Sequence, residues 1–133
     1  AEGEDNKFFQ IALSDKKDKK EFYLDNYGGN SSLEKFDNVK SETVATNTID
    51  NLKLSEKIKL LKIDAEGHEL EVIKGAVKSI KNVEFISIDY GFEKGLEQSS
   101  TIVEVNNFLI ENDFKLYKFS EFRLVGLYKN KII

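Results

Sequence analysis

Residues 58–76 read IKLLKIDAEGHELEVIKGA. The segment opens on Ile58, Leu60, Leu61 and Ile63, an apolar run too short for a membrane span and rich enough for a buried strand. Asp64-Ala65-Glu66-Gly67 interrupts the run, and Gly67 takes a positive φ at little cost. The period then changes. Leu70, Ile73, Val77 and Ile80 recur every three or four positions, which predicts an amphipathic helix. Glu66, Glu69 and Glu71 fall in its first turn and Lys74, Lys78 and Lys81 in its last, as the helix dipole favours. In open α/β sheets ligands bind at the carboxyl ends of strands, so Asp64, Glu66 and His68 stand where a site is expected.

Residues 62–76, KIDAEGHELEVIKGA, resemble the signature of the FkbM-type methyltransferases, S-adenosylmethionine-dependent enzymes that methylate hydroxyl oxygens of sugars and natural products. Three further stretches resemble blocks of that family in the same order: IALSDKKDKKEFYL at 11–24, GGNSSL at 28–33 and TNTIDNL at 46–52. The resemblance runs from about Gln10 to Asp89. It implies a partial Rossmann-like methyltransferase sheet, with parallel strands ending in an antiparallel hairpin strand. It also implies S-adenosylmethionine as cofactor and a small-molecule or glycan hydroxyl as acceptor. Asp64, Glu66 and His68 then fall in catalytic positions, and Asp89 and Tyr90, ending the next strand, on the substrate side. The family's first strand, its glycine-rich turn and its ribose-binding acid have no counterpart before Gln10. The cofactor-binding residues therefore stay unassigned. The chain is expected to be the C-terminal portion of such a domain and to bind S-adenosylmethionine weakly or not at all by itself. It contains no methionine, so residue 1 is not expected to be a translation start.

The 133 residues suit one domain, with strands and loops over 1–57 and a β-α-β-α-β-β core over 58–133. Twenty basic and 24 acidic residues leave a net charge of −4, and the lysines are interleaved with acids. No nucleic-acid face is expected from that pattern. The absence of cysteine excludes disulfides, thiolate metal sites and cysteine nucleophiles. No run approaches the ~20 apolar residues of a membrane helix and no signal peptide is present, so no membrane partner and a cytoplasmic location are expected.

Before the central stretch, 8–13 and 21–24 read as two strands of a hairpin around a charged turn. Residues 1–7 read as a frayed end and 26–32, NYGGNSS, as a loop. Residues 39–48 suit an exposed or edge strand, and 49–54 a helical turn that Asp50 caps. After it, 83–88 reads as a second buried strand ending at Asp89. Residues 92–99 read as a loop. Thr101 and Glu104 form a capping box for a helix to about Asn112. Residues 114–119 and 124–128 then read as an antiparallel pair, their connection being too short for a crossover helix.

Methyl transfer to a hydroxyl needs an in-line acceptor and a group that removes its proton. His68 suits that role by its ordinary pKa, against the alternative of a solvated surface residue. Asp64 and Glu66 either act on the acceptor or cap the helix. Glu69 and Glu71 read as surface acids, and Gly75 as a point of close packing. Asp64, Glu66, His68 and Asp89 also allow a metal reading, which is the weaker one, and no metal is assigned. A non-catalytic fragment or interaction module of the same fold is the alternative function. The outer edge of the strand at 58–63 is expected to be covered by the N-terminal hairpin or by a second copy in a homodimer.

Overall fold

A computed structural model describes residues 6–27, 29–54 and 57–133. The expectations for 1–5 and for Gly28 lie outside them.

Strands β1 (Ala12–Leu13), β2 (Lys19–Tyr23) and β3 (Ser41–Asn47) form one sheet in the order β1-β3-β2. The hairpin expected of the first two is not formed. β1 pairs parallel with β3 and β2 antiparallel with it, so β3 is central rather than an edge. The turn between β1 and β2 is folded onto β3 instead: Ser14 N donates to Asn47 O, and Thr46 N donates to Asp18 O, both at 2.8 Å. The Thr46 hydroxyl donates to Lys16 O at 2.9 Å. β-Branched Thr43, Val44 and Thr46 suit β3 to a place with neighbours on both sides. Phe8 and Phe9, expected within the first strand, precede it and are exposed.

The second sheet holds β4 (Ile58–Ile63), β5 (Val83–Asp89), β8 (Phe114–Ser120) and β9 (Val125–Asn130), in the order β4-β5-β9-β8. β4 and β5 are parallel, and β9 is antiparallel to both β5 and β8. Three strands thus run one way and the last, reversed strand is inserted between β5 and β8, as the short connection predicts. The architecture is mixed α/β. β6 (Phe92–Lys94) and β7 (Ser99–Ser100) make a small hairpin where a loop was expected, closed at Gly95 with φ +66°.

β4 departs from the buried strand that its composition suggests. Ile63 is buried, and Ile58 and Leu61 pack on the core, but Lys59, Lys62 and Leu60 face solvent. The reason is its place at the sheet edge. Among the described residues no strand pairs with its outer side, and the N-terminal sheet, expected as one possible cover, pairs only within itself.

The helix after the acidic turn is shorter than its apolar stripe. α1 covers Glu69–Lys74, and a 3-10 turn succeeds it at Ser79–Asn82. Ile73 and Ile80 are buried, but Val77 is exposed. At Gly75 the chain passes so close to β1 that a Cβ would stand 2.1 Å from Ser14 O. Asp50 anchors the 3-10 turn, accepting from Lys78 N at 3.1 Å, Ser79 N at 2.8 Å and the Ser79 hydroxyl at 2.7 Å. It caps this turn across the fold rather than its own. α2 (Ile102–Glu111) buries Val105 and Leu109 against the sheet. Its Thr101 cap makes no capping box: the hydroxyl goes to Glu69, and Glu104 pairs with Lys94 at 2.6 Å. No described helix is long and apolar enough to cross a membrane.

Candidate functional site

The turn from β4 into α1 is held by a side chain that periodicity leaves unmarked. Glu69 is 1 % exposed. Its Oε1 accepts from Ala65 N at 3.1 Å and Gly67 N at 3.0 Å, and its Oε2 accepts from the Thr101 hydroxyl at 2.8 Å. A buried carboxylate is tolerated there because it receives three donors. The turn itself uses two left-handed residues, Glu66 at φ +49° and Gly67 at φ +95°. Gly67 is required twice over, since a Cβ would meet Lys94 Cα at 2.7 Å. β6 thus lies directly across the turn.

That crossing brings acids from three places to the carboxyl ends of β4 and β5. Asp64 is exposed and 3.4 Å from Lys62 Nζ. Glu66 is half-buried, and burial, then Asp64, Glu69 and Asp89, raises its pKa. Glu93 on β6 is pushed up to about 7, first by burial and then by Glu66, Asp89, Glu69 and Asp64. Asp89 accepts from Gly91 N at 3.2 Å. Asp64, Glu66 and Asp89 are therefore brought together, with Glu93 among them. Neither Asp64 nor Glu66 caps α1, which has no side-chain cap; Glu69 instead ties the turn amides that precede it.

His68 is not a solvated surface residue but 3 % exposed. Its Nε2 lies 3.0 Å from Ser14 Oγ, and its Nδ1 lies 2.7 Å from Glu34 Oε1 and 3.6 Å from Glu71 Oε2. Glu34 is delivered by a loop that bridges back to β2 at Ser32. The Ser32 hydroxyl donates to Glu66 O at 2.7 Å and accepts from Glu34 N at 2.9 Å. A cleft of about 320 Å³ between the two sheets is lined by Asp64, Glu66, His68 and Ser32, with Leu13, Ile63 and Val72 among its apolar walls. Tyr90 stands apart. It is fully buried, its hydroxyl bonded to that of Tyr128, which donates to Asn106 Oδ1 at 3.0 Å.

The profile of the methyltransferase FkbM domain matches residues 2–116. The chain belongs to the FkbM methyltransferase family. The match takes in the acidic turn, the cleft and every acid described above. No curated protein and no solved structure matches the chain.

Ser14, Glu34 and Glu93 of this FkbM site were not singled out in the sequence, and Glu69 and Glu71, read there as surface acids, are respectively buried and buried at Oε2. Ser14 and Glu34 come from outside the β-α-β unit, and only the long-range pairing onto β3 and the Ser32 bridge bring them in. Glu93 lies in a stretch without alternation. Glu69 carried a signal only in its neighbours, a Gly turn with N–H groups to be satisfied.

Proposed function

We propose that this chain carries the acceptor side of an S-adenosylmethionine-dependent O-methyltransferase of Rossmann-like topology, acting on a hydroxyl of a sugar or natural product. The observation that carries the reading is the FkbM domain match over residues 2–116, which takes in the acid cluster at the ends of β4 and β5 where Glu93 is pushed up to about 7. A base works best when its pKa lies near the operating pH.

The cluster also fits the cofactor's charge. Glu66 and Glu93 are both raised by burial and by neighbouring acids, a repulsion that a nearby cation relieves. S-adenosylmethionine, when bound, supplies a methyl group on a positively charged sulfur. Asp64, Glu66 and Asp89 hold and orient the cationic side and the acceptor, and Glu93 accepts the hydroxyl proton. His68, with both ring nitrogens engaged, fixes the turn that presents Asp64 and Glu66. Tyr90 supports the end of β5 from the core. Glu66 borders both the cleft between the sheets and a smaller pocket that Glu93 lines with Asp25, Phe36 and Gln98. The acceptor hydroxyl reaches Glu93 through that smaller pocket.

The test is methyl transfer from labelled S-adenosylmethionine to a panel of hydroxyl acceptors by the protein that carries this chain. Turnover should rise with pH through about 7, and Glu93→Gln should lower kcat by roughly 100-fold with no loss of melting temperature. Full turnover by Glu93→Gln would remove it as the base. Methylation of nitrogen or carbon acceptors alone would sink the O-methyltransferase reading. The unpaired edge of β4 favours a second reading, an interaction module of the same fold, which is left standing if neither methyl transfer nor S-adenosylhomocysteine binding occurs.

A further inference from the structure

Beside the acid cluster, three donor atoms converge that neither touch the acceptor nor move its proton in the proposed chemistry. Glu34, His68 and Glu71 each offer one, and all three lie within 4.8 Å of one another. Hydrogen bonds alone do not satisfy them. Ser14 has a single hydroxyl proton, and its oxygen lies 3.0 Å from Asp15 Oδ1, 3.0 Å from His68 Nε2 and 3.1 Å from Lys20 Nζ. If that proton goes to Asp15, Nε2 must carry the ring proton, and Nδ1 points a bare lone pair at two carboxylates. If Nδ1 carries it, the proton serves Glu34 at 2.7 Å and nothing is left for Glu71. A doubly protonated ring leaves Glu71 in the same position. Its Oε2 is buried and has no hydrogen-bond partner. The cations facing the group are committed elsewhere, Lys94 to Glu104 at 2.6 Å and Lys20 to Asp15 at 3.8 Å and to Ser14.

We propose that Glu34, His68 and Glu71 form a divalent-cation site of the zinc class. One cation satisfies all three donors in every tautomer that leaves Nδ1 free. Zinc ligands at ~2.0–2.1 Å in a tetrahedron stand about 3.3 Å apart. The separations of 2.7 and 3.6 Å from Nδ1 bracket that spacing, and the two carboxylate oxygens lie within 4.8 Å of each other. Ser14 on Nε2 is the outer partner that a ligating histidine keeps, fixing the tautomer and the ring. One imidazole with two carboxylates suits Zn²⁺ or Co²⁺ better than Mg²⁺ or Ca²⁺. Three protein ligands leave a fourth position, and His68 lines the cleft between the sheets. The site does not depend on the chain being a methyltransferase.

Metal-stripped protein titrated with Zn²⁺ by calorimetry should bind one equivalent. At free Zn²⁺ about 100 times Kd its melting temperature should rise by roughly 10 °C. Co²⁺ should give the visible absorption of a tetrahedral site. Glu71→Gln, which disturbs no hydrogen bond of Oε2, and Glu34→Gln should each weaken Zn²⁺ by about tenfold or more. The double variant Asp64→Asn/Glu66→Gln should bind as wild type. No saturable binding at millimolar Zn²⁺, unchanged affinity in both Glu34→Gln and Glu71→Gln, or loss of binding only in the Asp64/Glu66 variant would each overturn the assignment.

Discussion

The carboxylate of Glu69 takes three hydrogen bonds, two from the backbone of the acidic turn and one from Thr101 at the start of α2. Replacing it with alanine strands buried donors and removes charge-assisted bonds worth about 1.5–3 kcal/mol each. Glu69→Ala should therefore cost at least ~3 kcal/mol in urea unfolding, whereas a loss under ~1 kcal/mol would show the turn to be held some other way. Glu93 gives a test of opposite character. Its folded pKa lies above its ordinary 4.5, at about 7, so the folded state binds more protons between those values. Stability is then full below about 4.5 and falls as pH rises toward 7. Glu93→Gln should flatten that fall, and an identical pH dependence in the variant would refute the raised pKa. Both residues escaped the sequence for one physical reason. Apolar periodicity marks what is buried for being apolar, whereas Glu69 is buried and Glu93 half-buried because of what reaches them from distant strands.

Within single elements, the sequence was legible where pattern and packing agree. β5, α2 and β9 lie close to their apolar patterns, because each buries one face against the same core, whereas β8 keeps its predicted pairing but buries only Phe114. α1 is the instructive departure. Its stripe runs on to Ile80, yet the helix stops at Lys74, since Gly75 meets the backbone of Ser14. Two effects compete in Gly75→Ala. Alanine gains about 1 kcal/mol of helix propensity. A Cβ placed 2.1 Å from a backbone oxygen forces the β1 turn away, and overpacking of that kind costs about 1–3 kcal/mol. Because the obstacle is main chain rather than a movable side chain, the clash wins, and Gly75→Ala should lower the melting temperature. A rise would mean that β1 yields freely. Asp50→Ala removes the cap shared by Lys78 and Ser79 and should cost about 1 kcal/mol. Neither contact leaves a trace in local sequence, since both join residues more than 25 positions apart.

At the scale of the whole molecule, the unsatisfied feature is the outer edge of β4. Leu60 on it is 53 % exposed, and the strand's outer backbone groups have no strand partner among the described residues. Such an edge is a template for another chain, and natural edges are blunted by lysines such as Lys59 and Lys62. Those lysines also select the register of any pairing between two copies. Antiparallel pairing centred between Leu60 and Leu61 sets Lys59 directly opposite Lys62, and like charges in that position are destabilising. Centring the two-fold axis on Leu60 sets Lys59 opposite Leu61 and Lys62 opposite Ile58, which avoids the conflict. The 133 residues on their own should therefore dimerise through β4 with Leu60 on the axis. Sedimentation equilibrium over a range of concentrations should give a monomer–dimer equilibrium. Leu60→Lys places two like charges face to face on the axis and should abolish it, while Leu116→Lys, on exposed β8 at the far edge, should leave it intact. A monomer at the highest soluble concentration, or dimerisation untouched by Leu60→Lys, would show that the β4 edge does not recruit a second copy.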